Sequence, residues 1–301
     1  MKIVGTGLTG MIGRRLVQVL KKDHEVVCLR RKISSPSSAD LKEIVWDPGK
    51  GDPSDSAPVL EGADAVINLS GENIAGKRWT SSQKEVLRSS RLVTTRALVD
   101  GMRACASKPK VFLSASAIGF YGPRDSKAVD ETAAAGRDFL SGLCQEWETA
   151  AGEAEALGVR TVFLRTGIVL AKEGGALAKM TPPFRCFLGG PLGSGEQMMS
   201  WVHIEDEVNA IAHCLRTAQI SGPVNLTAPH PVSMREFASR LGSVLRRPSL
   251  LPVPGFALKL LLGEMSQMLL TGQNCSPAKL VRSGFIFKHP RLEPALKDIL
   301  L

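Results

Sequence analysis

The chain has 301 residues, with 38 Lys and Arg against 29 Asp and Glu and 44% hydrophobic residues. At roughly 150 residues per domain this gives two domains, or one large α/β domain with an appendage; a charged fraction of 22% excludes a disordered acidic chain and a coiled coil. The net charge of +9 raises the question of nucleic acid, yet the densest basic group is Arg30-Arg31-Lys32, and aromatics are 5% with one tyrosine.

No nucleic-acid partner is therefore expected. No apolar run approaches the ~20 residues that span a bilayer; Phe256–Gly263 is broken by Lys259. Met1 leads into a strand pattern rather than a basic region followed by an apolar one, so neither a secretory signal nor a membrane partner is expected, and the location reads as cytoplasmic. Six scattered cysteines without a CxxC pair read as reduced thiols. No His/Cys/Asp group has metal-ligand spacing, and no metal is expected.

In chain order, short apolar runs at Lys2–Gly5, Glu25–Leu29, Ile44–Trp46, Ala65–Leu69, Lys110–Leu113 and Val159–Leu164 predict strands buried on both faces. Helix patterns lie between them at Met11–Lys22, from the capping-box spacing Thr80–Gln83 to about Ala104, and at Phe139–Leu157. The run Ile33–Pro58, rich in Ser, Pro, Asp and Gly, reads as a loop around the Ile44–Trp46 island. Beyond Arg165 glycine pairs mark a loop-rich region, followed by helices entered at Asp206 and Ser233 and a helix pattern at Phe256–Leu270. Strand–helix alternation predicts an α/β fold: a doubly wound parallel (Rossmann) sheet over 1–166, to which the chain returns around 203–228. A smaller, mainly helical substrate domain is expected from 167–202 and 229–301.

Thr6-Gly7-Leu-Thr-Gly10-Met-Ile-Gly13 lies between the first strand and first helix. There Gly7 permits a tight turn, Gly10 lets backbone approach a pyrophosphate, and Gly13 lets helix and strand pack closely. The helix N-terminus supplies N–H groups for the phosphates. The second strand ends in Leu29-Arg30-Arg31-Lys32 without the carboxylate that holds an NAD ribose. Cations suit a 2′-phosphate, so NADP is the expected cofactor.

These glycines, together with Asp64-Ala-Val-Ile-Asn68-Leu-Ser-Gly71 and Ser114-Ala-Ser116, resemble the extended short-chain dehydrogenase/reductase superfamily. Ser70-Gly-Glu72-Asn73-Ile, Lys77-Arg78-Trp79, Ile118-Gly-Phe-Tyr-Gly122, Leu164-Arg-Thr-Gly-Ile168, Pro182-Pro-Phe-Arg185, Gly189–Gly195 and Trp201–Asp206 are similar to its atypical "epimerase family protein" branch. The resemblance runs nearly the whole length and implies an NADP-binding Rossmann fold without naming a substrate. It implies Gly7, Gly10, Met11, Ile12 and Gly13 around the pyrophosphate, Arg30 and Arg31 at the adenosine phosphate, and Leu69, Ser70 and Gly71 on the adenine-ribose side. Glu85 and Arg91 follow on the next helix, Arg91 being favoured. Ser114 and Ile168 complete the cofactor set, the Thr166–Ile168 loop approaching the nicotinamide.

Hydride-transferring members of this superfamily use Ser/Thr with Tyr-x-x-x-Lys, the Tyr exchanging a proton while Lys tunes it. Here the lone tyrosine, Tyr121, is followed four residues on by Asp125, and the matching helix positions read Leu140 and Cys144. Three catalytic candidates remain. Ser116 either bonds a substrate oxygen or ties down its strand end. Tyr121 is either a displaced acid/base or a pocket wall. His203 either positions substrate or makes a structural bond at the domain junction. Asp206 reads as a helix N-cap and Cys144 as an inert thiol. Lys179 and Arg185 either supply positive charge for an anionic or nucleotide-linked small-molecule substrate or form a solvated basic surface. The expected function is an NADP(H)-binding oxidoreductase or epimerase-like protein; the alternative is a non-catalytic NADP(H) sensor or scaffold. Oligomeric state stays open.

Overall fold

Seven parallel strands form one sheet: β1 (Lys2–Thr6), β2 (Glu25–Arg30), β3 (Lys42–Val45), β4 (Ala65–Asn68), β5 (Val111–Ala117), β6 (Arg160–Thr166) and β7 (Gly222–Leu226), in the order β7-β6-β5-β4-β1-β2-β3. The computed structural model describes residues 1–33 and 41–301, with backbone only at 53 and 54. Residues 34–40 of the expected Ile33–Pro58 loop lie outside the described residues; the rest of that run holds β3 and the short helical turns Pro53–Ser56 and Ala57–Leu60. The strand order reverses at β1, which pairs β2 on one side (Lys2 opposite Glu25) and β4 on the other (Ile3 opposite Ala65). In open α/β sheets the crevice beyond the carboxyl ends at such a reversal is where ligands bind.

The strand sequences are continuously apolar because helices cover both faces. On one face α1 (Met11–Leu20) and α5 (Ile204–Arg216) pack over Ile3, Ile67, Leu113 and Leu164. On the other, α2 (Ser81–Ala104) and α3 (Phe139–Gly152) cover Val4, Val66 and Phe112. Leu16, Leu98 and Phe112 have no exposed surface; burying each such side chain contributes about 1.5–3 kcal/mol. A third core joins Leu177, Trp201, Phe237 and Leu296 from α4 (Gly175–Arg185), the strand Trp201–His203, α6 (Met234–Leu245) and α8 (Leu292–Leu300).

The caps act where their residues stand: Thr80 and Ser233 accept from the N–H groups of Gln83 and Glu236. Three elements differ from expectation for local reasons. β7 begins Gly222-Pro223, and this proline is tolerated because β7 is an edge strand. α4 occupies part of the expected loop region; Gly174 (φ 98°) and Gly175 (φ 68°) turn the chain into it, and it carries Pro182 and Pro183 in its second half. The expected Phe256–Leu270 helix is interrupted at Gly263 (φ 62°), leaving α7 (Gly255–Leu262) and a short helix at Gln267–Leu270.

Candidate functional site at the carboxyl edge of the sheet

The Gly7–Gly13 corner is built from backbone. Gly7 has φ 70°, and a Cβ there would lie 2.5 Å from the Leu69 carbonyl carbon, so only glycine lets the β1 and β4 crossovers touch. A Cβ on Gly13 would meet the Gly7 carbonyl oxygen at 2.4 Å. Gly10 is the extended N-cap of α1, with no side chain capping it and no acidic residue in the first turn. The first-turn N–H groups and the positive helix end are thus available to an anion, and these residues fit a pyrophosphate. Ile12 packs inward, while Met11 reaches the start of α4, its sulfur 3.5 Å from where a Gly174 Cβ would stand.

Asn68 fixes the neighbouring loop. Its Oδ1 accepts from the Thr6 hydroxyl (2.8 Å) and the Ser70 N–H (3.1 Å), and its Nδ2 donates to Thr95 on α2 (2.9 Å). Leu69 donates its N–H to the Thr6 carbonyl. Arg91 is used here as a brace: Nη2 donates to the Glu72 carbonyl at 3.1 Å, Nη1 to the Leu87 carbonyl at 2.9 Å, and the guanidinium lies over Trp147 beside Gly71. Burial holds its pKa below the usual arginine value. Glu85 does not join this corner; it is exposed, 3.9 Å from Arg88, which also binds Glu146 of α3. No carboxylate follows β2 in the sequence, yet one approaches Arg30 from the neighbouring strand. Register places Glu43 of β3 opposite Cys28, and its carboxylate binds Arg30 at 2.6 Å. Arg31, just beyond β2, is exposed.

On the opposite side of the edge the functional groups are buried side chains. Ser116, 5% exposed near the end of β5, donates its hydroxyl to Glu148 Oε1 at 2.6 Å. Glu148 stands on α3 one turn beyond Cys144 and takes two bonds from Arg165 of β6, both 2.8 Å. Arg165 also donates to the Tyr121 hydroxyl (3.0 Å) and stacks 3.5 Å from the Phe120 ring centre. Tyr121 has no exposed surface; its hydroxyl donates to Asn225 of β7 at 2.7 Å. Burial pushes its pKa up to about 12 against the pull of Arg165. The Tyr121 hydroxyl thus donates to Asn225 and accepts from Arg165, both in the interior. Burial, then Glu148, pushes the Cys144 thiol up to about 12 as well, which leaves it an inert thiol. Ser114, beside Asn68 in register, is buried, and its hydroxyl has no hydrogen-bond partner.

Glu148 and Arg165 were not among the expected site residues. A signal existed: an arginine in the apolar run Val162–Leu164-Arg165 and a glutamate on the buried face of α3 must neutralise each other. At the end of β6, Thr166 donates to Glu207 Oε1 at 2.8 Å, while Oε2 of that fully buried carboxyl lacks a partner. Burial pushes the Glu207 pKa up to about 8. Ile168 opens the next short strand, donating its N–H to the Ser200 carbonyl.

His203 lies at the junction with the C-terminal segment. It is the N-cap of α5, its Nδ1 accepting from the Glu205 N–H at 3.1 Å, and its ring stacks on His289 at 3.8 Å. Asp206, expected as the N-cap, lies inside the helix and instead accepts the N–H groups of Lys288 and His289, both at 2.8 Å. Ligand atoms of His203, Glu205 and His289 fall within 4.8 Å of one another. However, an Nδ1 that accepts puts the ring proton on Nε2, facing Asp298 at 3.3 Å. In the neutral ring that nitrogen carries the proton and has no hydrogen-bond partner, so a metal there would have to displace it. Lys179 donates to the Ala75 carbonyl (2.8 Å), tying α4 to the loop after β4, and Arg185 is exposed.

A parallel sheet with a side-chain-free glycine turn at its switch point defines a dinucleotide-binding Rossmann protein. The chain belongs to the NAD dependent epimerase/dehydratase family, whose model matches residues 3–226; residues 253–299 match a domain of unknown function. It is 40% identical over 309 residues to the Arabidopsis thaliana "Epimerase family protein SDR39U1 homolog, chloroplastic", covering 100% of this chain and 87% of that protein. It is 38% identical to "Epimerase family protein YfhF" of Bacillus subtilis, covering 100% and 98%. A crystal structure of human epimerase family protein SDR39U1 with NADPH superposes with TM-score 0.89 at 34% identity, covering 99% of each chain. The protein is thus an NAD(P)-binding member of this family.

Proposed function

We propose that the chain is an NADP(H)-dependent oxidoreductase or epimerase-like enzyme acting on an anionic small molecule, with Ser116 and Glu148 in place of a Tyr–Lys pair. The observation that carries this reading is the 2.6 Å bond from Ser116 to Glu148. NADP(H), when bound, supplies or accepts the hydride. Because the Ser116 proton is committed to Glu148, the oxygen's lone pairs are free to accept from a substrate hydroxyl. The substrate proton passes to Ser116 as the Ser116 proton passes to Glu148, and Arg165 holds that carboxylate by two bonds. Arg31 would meet the 2′-phosphate, and Lys179 and Arg185 supply positive charge on the substrate side. The human relative's NADPH supports the cofactor choice. The unpaired state of all six cysteines fits a cytoplasmic location.

The alternative sensor reading draws on Tyr121, whose hydroxyl is locked away from the cleft. The test is a metabolite screen on NADPH-saturated protein, read first by thermal shift and then by NADPH consumption or formation. Ser116→Ala and Glu148→Gln should each lower turnover ~10²-fold while NADPH affinity holds. Full turnover in either variant contradicts the proton route. No turnover of any stabilising compound favours the sensor.

A further inference from the structure

α7 has an unpartnered face. Of its eight residues only Leu258 is buried, while Phe256, Leu260 and Leu261 are 75%, 80% and 69% exposed. The segment entering it adds Leu250 and Leu251, 81% and 51% exposed. A second stretch lies alongside: Leu251 donates its N–H to Gly189 at 3.2 Å, and the Arg247 guanidinium sits 4.5 Å from the Phe187 ring. Phe187 is 57% exposed with φ 64°, a left-handed conformation rarely adopted by a bulky residue, on the turn that presents its ring outward. Single exposed leucines need no explanation, but a contiguous apolar surface of this kind marks an interaction site.

The charges around it identify the occupant. No Asp or Glu occurs between 241 and 263 or between 174 and 195. Arg246, Arg247, Lys259 and Arg185 are all exposed on these segments. A second copy of the chain meeting this face would bring one net positive patch against another, with carboxylates only at the ends of the two stretches, at Glu173, Glu196 and Glu264. A surface carrying phosphate headgroups above an apolar layer suits both components: leucines and phenylalanines enter the interface while Arg and Lys remain at the headgroups.

We propose that this face docks onto the surface of an anionic lipid bilayer. The sequence expectation of no membrane partner rested on spanning length, and among the described residues no helix is long and apolar enough to cross a membrane; lying on a membrane is a separate property. The surface abuts the segment between β4 and α2, since Arg78 donates to the Leu260 carbonyl (3.5 Å) and Glu264 binds Lys84 of α2 (2.5 Å).

The experiment is co-sedimentation of the full chain with phosphatidylglycerol-containing vesicles and with pure phosphatidylcholine vesicles. Binding to the anionic vesicles should be at least ~10-fold tighter and should weaken with salt. Phe256→Asp with Leu260→Asp, and separately Arg246→Glu with Arg247→Glu, should each lower it ~10-fold or more, with NADPH affinity unchanged as the check on folding. All these positions are exposed; should the aspartate pair fail that check, the charge-reversal pair carries the test alone. Absence of anionic-vesicle binding, or binding indifferent to the charge reversal, overturns the proposal. So does a concentration-dependent dimer in sedimentation equilibrium that Phe256→Asp dissolves, because a second copy then covers the face.

Discussion

At the Gly7 corner the functional groups are backbone N–H groups, kept accessible by the absence of side chains. At the Ser116 end they are side chains from β5, α3, β6 and β7 that satisfy one another in the interior. A backbone site tolerates no added atom but needs few partners. A buried side-chain site tolerates conservative change at its rim and fails when one charged member is removed. The contrast separates two kinds of perturbation, one acting on affinity and the other on stability.

The largest expected effect is at the side-chain end. Glu148→Ala leaves the Arg165 guanidinium, 4% exposed, without its carboxylate. Stability should fall by about 3–5 kcal/mol, read from the denaturation midpoint. Next comes Gly7→Ala, which forces a side chain into φ 70° against the Leu69 carbonyl. NADPH affinity should drop ~10²-fold by calorimetry, from strain and displacement of the phosphate-binding turn.

A third effect concerns pH. Glu207 has a folded pKa of about 8 against an ordinary value of 4.5. Its contribution to stability is therefore present below the unfolded value and is lost as pH rises through about 8. Glu207→Gln should flatten the pH dependence of stability between about 4.5 and 8, as seen in denaturation midpoints across that range. If wild type and variant run parallel, the carboxyl is not held neutral. The smallest effect is at Cys144: replacement by Ala should leave NADPH affinity within about twofold, as for any inert buried thiol.

The same division explains what could be read from the sequence. The glycine spacing, the Thr80 and Ser233 caps and six of the seven sheet strands are local features, and each is visible as a residue pattern. β7 was hidden by Gly222-Pro223, which reads as a turn until the edge position is known. Glu43 reaches Arg30 only through the β2–β3 register, so its carboxylate was invisible beside Arg30-Arg31-Lys32. Glu148, Arg165 and Asn225 come together across as many as 77 positions between Glu148 and Asn225, a distance no spacing rule covers. Asp206 was read as a cap because it begins an apolar helical pattern, but the chain enters α5 at His203 and spends that carboxylate on the backbone of 288–289.

The central claim is that the corner is built for NADP(H), with Arg31 supplying the discrimination that Arg30, shared with Glu43, cannot supply alone. Calorimetric titration of the wild-type chain and Arg31→Asp with NADPH and NADH, at one fixed salt concentration, tests it directly. The wild type should bind NADPH at least ~10-fold tighter than NADH, and the variant should lose or invert that ratio. Equal affinities in the wild type, or an unchanged preference in Arg31→Asp, would contradict it.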